Sequence, residues 1–158
     1  MLKIEKAYIA GFFDGEGCLN IYIQSKRYKS ITYWYPRLQV TVTNNNNLLL
    51  EEIVSILGFG HVYPPASRTL TYTIRINVPE AILKFIEVLE PYIKGKKKEL
   101  AIMKEAASFL VKHRGYHCEP HQAFWTKEKV DEFERNYVIP MKRLKNTKRG
   151  RHKRWFRK

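Results

Sequence analysis

Two stretches of the chain alternate apolar and polar residues with period two. Leu19, Ile21 and Ile23 alternate with Asn20, Tyr22 and Gln24, and later Leu38, Val40 and Val42 oppose Arg37, Gln39 and Thr41. That pattern predicts strands with one buried and one exposed face. A polar turn over 26–30 separates them. Ahead of the first strand, residues 4–13 read as a helix. After the second, Asn44-Asn45-Asn46-Asn47 offers N-cap residues for a helix over 48–57, closed by Gly58. Residues 61–63 form a short strand stopped by Pro64-Pro65. Residues 69–77 form another, with Leu70, Tyr72, Ile74 and Ile76 on one face and Thr71, Thr73, Arg75 and Asn77 on the other.

Asn77 and Glu80 make a capping-box-like start, with Pro79 in the first turn, for a helix reaching residue 90. A longer helix spans 96–112, a loop 115–122, and Thr126 caps a helix to about residue 136 before Pro140 ends the region. The order is helix, two strands, helix, two strands, then helices. It predicts an α+β fold with an antiparallel sheet, without internal repeats.

The exposed strand face changes the picture from fold to function. It carries Asn20, Tyr22, Gln24, Lys26, Tyr35, Arg37, Gln39, Thr41, Tyr63, Thr71, Thr73 and Arg75, and no acid. An ordinary solvated face would mix both signs of charge. A curved ribbon of such residues suits a major groove, where Arg reads guanine and Gln or Asn reads adenine. Composition agrees. Of 158 residues, 29 are Lys or Arg and 15 are Asp or Glu, a net charge of +14. The last 18 residues hold ten bases and no acid. A domain over 1–140 followed by a basic tail over 141–158 is therefore expected, with Arg151, Lys153 and Arg154 contacting nucleic acid rather than a membrane. The alternative is a solvated tail, but Trp155-Phe156 inside the basic run is unusual for one.

Composition also excludes. No apolar run reaches the ~18 residues of a membrane span. The opening residues, which include Glu5, lack the apolar core of a secretory signal. Two cysteines, Cys18 and Cys118, make no disulfide framework, so an intracellular, reducing compartment is expected. Cys18 itself reads as a buried small hydrophobe. A zinc site from His113, His117, Cys118 and His121 lacks the paired spacing of a finger.

Two clusters oppose helix electrostatics. The first helix ends in Asp14-Gly15-Glu16-Gly17, which puts carboxylates at the negative end of the dipole, where each costs ~0.3–1 kcal/mol. Acids among glycines suit a hard cation such as Mg²⁺ or Ca²⁺, with a backbone carbonyl as a further ligand. The alternative is a plain turn. Conversely, Lys94, Lys96, Lys97 and Lys98 surround a helix N-terminus. There they form either an anion pocket or a solvated charge cluster.

The segment Tyr8-Ile9-Ala10-Gly11-Phe12-Phe13-Asp14-Gly15-Glu16-Gly17 closely resembles the LAGLIDADG motif of homing endonucleases. Further likeness covers Gln39-Val40-Thr41, Leu57-Gly58-Phe59-Gly60-His61-Val62 and Pro91-Tyr92-Ile93-Lys94-Gly95-Lys96, so that it spans about residues 8–107. The resemblance implies an αββαββα fold whose curved four-stranded sheet forms a saddle on DNA. A single motif implies a homodimer in which Ala7, Ala10, Gly11 and Gly15 let two motif helices approach. Glu16 matches the metal-binding acid, which many members carry as Asp. Asp14 matches a supporting acid, and the Gly15 carbonyl a further metal ligand. Lys96 matches the lysine that offsets charge and organises water at the cut phosphate, and Gln39 a DNA-face glutamine. Where some members place a water-organising polar residue, this chain has Val42, read as core; Lys96, Asn46 or solvent then takes that part.

The implied activity is Mg²⁺-dependent hydrolysis of both strands of a long pseudo-palindromic DNA site, with Ca²⁺ or Mn²⁺ able to substitute. In that scheme Lys94, Lys97 and Lys98 hold the backbone. The competing reading is a non-cleaving nucleic-acid-binding protein or RNA intron maturase of the same fold.

Overall fold

The computed structural model describes residues 1–28, 30–65, 70–113 and 125–146. The expected loop over 115–122 lies outside these residues. So do the zinc candidates His117, Cys118 and His121, and the tail residues Arg151, Lys153 and Arg154. The elements are α1 (Lys3–Glu16), β1 (Gly17–Tyr28), β2 (Ile31–Asn44), α2 (Asn47–Leu57), β3 (His61–Tyr63), β4 (Tyr72–Ile76), α3 (Pro79–Leu89), α4 (Lys97–Lys112) and α5 (Lys127–Phe133). A π-turn over Glu134–Val138 joins α5 to a last helix, α6 (139–146). The expected α+β architecture holds. One antiparallel sheet runs in the order β1-β2-β4-β3.

One sheet face supplies Leu19, Ile21, Leu38, Val40, Val42, Ile74 and Ile76, all buried. Against them pack Ile9 and Phe13 of α1, Leu50 and Ile53 of α2, Phe85 and Leu89 of α3, and Leu100 and Met103 of α4. Phe13 meets Phe85 edge-to-face at 5.0 Å. At 6% exposure Val42 is core, as its alternation implied. Among the described residues no helix is long and apolar enough to cross a membrane.

Several expectations are corrected. The β1–β2 ladder runs unbroken from Gly17↔Val42 to Tyr28↔Ile31, so residues 26–28 are strand rather than turn. Ser25, Lys26, Arg27 and Trp34 are all exposed there, and without a buried face no apolar alternation marks the strand. β4 starts at Tyr72, so Thr71 lies outside it and Leu70 is 88% exposed. The N-cap of α3 is Val78, without a side-chain cap, and Asn77 makes no capping box. Pro79 sits at the first position, where its fixed φ suits a helix start and its missing N–H costs nothing.

Pro140 does not end the helical region. The i−5 bond from the Ile139 N–H to the Glu134 carbonyl widens the turn just ahead of the proline, and the helix continues to residue 146. Such π-turns absorb a residue that a regular ladder cannot hold. Met141, at 1% exposure, joins the core, so α6 is packed onto the domain.

Gly17 marks the bend from α1 into β1. A Cβ there would lie 2.5 Å from the Phe13 carbonyl oxygen and 2.2 Å from the Phe13 ring. Gly17→Ala is therefore expected to destabilise the fold by about 1–3 kcal/mol, read by urea denaturation.

Candidate metal and nucleic-acid site

The helix of α1 continues through Asp14 and Gly15 to Glu16, three residues beyond its apolar pattern. The reason lies at the other dipole anomaly. The Asp14 carboxylate accepts the N–H groups of Lys94 at 2.7 Å, Gly95 at 2.9 Å and Lys96 at 3.1 Å. In return the Lys96 ammonium donates to the Asp14 carbonyl and lies 5.7 Å from the centre of the Phe13 ring. Each helix end thus receives the charge it lacks. The negative end of α1 meets an ammonium, and the turn leading into α4 meets a carboxylate. The N–H groups of this turn are thus taken by Asp14.

Burial alone would push the Asp14 carboxyl up. The Gly95 and Lys94 hydrogen bonds, with the charge and N–H of Lys96, hold it below its ordinary value of 3.8. Glu16 has the opposite surroundings. It is exposed at the end of α1, and its carboxylate meets no partner among the described residues. The two acids of the motif are thereby separated: Asp14 ties α1 to the start of α4, and Glu16 points outward. A free carboxylate oxygen suits a hard divalent cation. Among the described residues no group of three or more His, Cys, Asp or Glu could hold a metal ion.

The sheet's second face starts beside Glu16. The register places Asn20 opposite Gln39, Tyr22 opposite Arg37, Gln24 opposite Tyr35, and Thr41 opposite Arg75, with Thr73 opposite Tyr63. With Lys26, these expected residues share one face. Thr71, beyond the end of β4, is exposed. Sequence reasoning missed His61 and Thr43, which the same alternation places here, and His61 meets Tyr63 edge-on at 4.7 Å. The Arg37 and Arg75 guanidinium groups lie 4.9 Å and 4.5 Å over the Tyr35 and Tyr63 rings, and the buried Arg75 Nε has no hydrogen-bond partner among the described residues.

Lys145 of α6 was also missed. It reaches Asn20 Oδ1 at 2.7 Å and Cys18 Sγ at 3.4 Å. Cys18 is half-buried and hydrogen-bonded, not the apolar filler its position suggested. Asn46 caps α2, its Oδ1 accepting the Leu49 N–H at 3.2 Å, so it is occupied structurally rather than at a water site. Lys94, Lys97 and Lys98 are exposed.

On α1, Ile4, Ala7, Tyr8, Gly11 and Gly15 are exposed, as is Leu2 just before it, and a Cβ at Gly11 or Gly15 would meet nothing within 4 Å. Ala10, expected on this surface, is fully buried in the chain's own core, because it lies on the side of α1 that carries Ile9 and Phe13.

Helix α1 leads into a four-stranded antiparallel sheet, with the exposed Glu16 at their junction. The LAGLIDADG endonuclease model matches residues 9–107, and the chain belongs to that family. No significant match to the sequence was found among curated proteins. Solved structures share the fold. The archaeal intron-encoded homing endonuclease I-Vdi141I, complexed with DNA, is 20% identical with a TM-score of 0.62, covering 86% of this chain and 98% of that one. I-CvuI, in complex with a DNA target in the presence of Mg, is 19% identical with a TM-score of 0.61, covering 86% and 96%. The meganuclease I-SmaMI bound to DNA is 17% identical with a TM-score of 0.66, covering 87% of this chain and 45% of that one.

The pH dependence of the Asp14 tie has a definite sign. The folded carboxyl binds its proton less readily than the unfolded one, so its contribution is complete above pH 3.8 and is lost as pH falls through the lower folded value. Asp14→Asn should flatten that part of the acid limb of a stability–pH curve and cost about 1–2 kcal/mol at neutral pH.

Proposed function

We propose that this chain is a site-specific DNA endonuclease of the homing type. It acts as a pair of identical copies with a divalent cation, Mg²⁺ by preference. One observation carries the reading: the outward Glu16 carboxylate stands where the acid-free sheet face meets the open, small-residue face of α1. A single copy supplies one carboxylate. A second copy meeting it along Ala7 and Gly11 would bring a second Glu16 alongside, with the Gly15 carbonyl as a further ligand. Fold relatives support the pairing. The chain matches almost all of I-Vdi141I but 45% of I-SmaMI, as one of two equivalent halves would.

In this reading the sheet residues Arg37, Gln39 and Arg75 face base edges, while Lys94, Lys97 and Lys98 take backbone phosphates. Two identical sheets require a long, roughly palindromic duplex. The cation, when bound, supplies activated water and charge neutralisation at the scissile phosphate. Glu16 holds the cation. Lys96, tied to the Asp14 carbonyl, fixes the end of α1 on which Glu16 stands and adds positive potential beside the phosphate. The untethered acid favours cleavage over simple nucleic-acid binding or a maturase role.

The test is cleavage of a randomised duplex pool in Mg²⁺, followed by sequencing of the cut ends. Glu16→Gln and EDTA should each lower cutting at least ~100-fold while the Glu16→Gln protein still binds the selected duplex. Cutting by that variant at the parent rate would overturn the metal assignment. Gly11→Leu should fold as a monomer, since nothing lies within 4 Å of the position. It should neither pair nor cut, as read by sedimentation on the selected duplex. A Gly11→Leu protein that assembles and cuts normally would remove α1 from the interface.

A further inference from the structure

Both amide side chains nearest the middle of β1 have their oxygens occupied by this chain's own donors. Asn20 Oδ1 accepts from the Lys145 ammonium at 2.7 Å and from the Cys18 thiol at 3.5 Å. Gln24 Oε1 accepts from Arg37 Nε at 3.1 Å. Ammonium and guanidinium groups are donors without acceptor capacity. An amide facing one must therefore turn its oxygen to it, and this fixes which end of the side chain is which. At Asn20 both lone pairs of the oxygen are engaged. The NH₂ group, with two hydrogens to give, is left for whatever approaches the sheet.

We infer that Lys145, reaching from α6, is a positioning residue that locks Asn20 donor-outward. The chain then reads hydrogen-bond acceptors at this position of its target. The inference rests on the DNA-facing role proposed for this sheet. An unconstrained Asn or Gln pairs with adenine, giving to N7 and accepting from the N6 amino group. Here that amino group would have to approach an oxygen already held by a cation. Guanine presents two acceptors, N7 and O6, and no major-groove donor. Cytosine presents an amino donor, which meets only donors from Asn20. The expected preference opposite Asn20 is therefore guanine first and cytosine last, the reverse of the usual asparagine reading in its rejection of adenine's second bond.

The experiment is binding selection by the full chain from a randomised duplex pool. The base pair read by Asn20 is located as the position whose preference collapses in Asn20→Ala. Wild type should favour guanine over cytosine there by about tenfold. Lys145→Ala frees the amide to rotate and should move the preference toward adenine at that pair, leaving distant positions unchanged. Lys145→Arg, which restores a donor-only partner, should return the wild-type profile. Asn20→Asp keeps an oxygen for Lys145 but has no hydrogen to give, and should lose the guanine preference. The readout is a ratio between bases at one position, which a general loss of folded protein does not alter. A clear consensus whose Asn20 position is the same with and without Lys145, or which selects cytosine there, overturns this inference alone. A pool from which wild type selects no sequence overturns the DNA reading and this inference with it.

Discussion

The reciprocal contact between the end of α1 and the turn before α4 is the constraint on which the rest of this molecule depends. A helix ending in two acids among glycines should fray, because its carboxylates face its own negative pole. The turn at 94–96 supplies three N–H groups to Asp14 and one ammonium to the Asp14 carbonyl. Two unfavourable helix ends become one satisfied junction. The segments joined are about 80 residues apart in sequence, so the junction also fixes how the helical layer is anchored to the entry of the sheet.

The chemistry follows from that anchoring. With Asp14 occupied, the motif's remaining acid is directed away from the fold. Gly17 lets the chain pass from α1 into β1 against Phe13, so Glu16 stands directly beside the first residues of the polar sheet face. Neighbouring carboxylates are set apart by what surrounds each, three amides in one case and solvent in the other. The exposed face of α1 is divided in the same way. Ala10 serves the core, while Ala7 and Gly11 are left on the surface. The motif thus leaves one acid without a partner among the described residues, next to the open small-residue face of α1.

Much of this was legible in the sequence, because local periodicity reports it. Alternation in β1, β2 and β4 assigned core residues such as Val42 and gathered most of the polar face, while the register that makes Asn20–Gln39 and Tyr22–Arg37 neighbours is seen only in the structure. What was not legible depends on distant partners. The N–H groups of the turn among the lysines at 94–98 are taken by Asp14, and no local pattern could announce a carboxylate arriving from 80 residues away. Lys145 belongs to a run of bases that looked uniformly like a tail. Only the π-turn ahead of Pro140, invisible to propensity, carries α6 back to β1. The outer β1–β2 hairpin was taken for a turn because solvent on both sides erases alternation.

The central claim is that Asp14 remains structural while paired Glu16 carboxylates hold the catalytic cation. Anomalous diffraction from crystals of the protein grown with its selected duplex and Mn²⁺ tests it most directly. The account predicts anomalous peaks within coordinating distance of Glu16 from two copies and of the backbone phosphates, with Asp14 still on the amides of residues 94–96. Peaks bound by Asp14 instead, or lying away from residue 16 altogether, would contradict it.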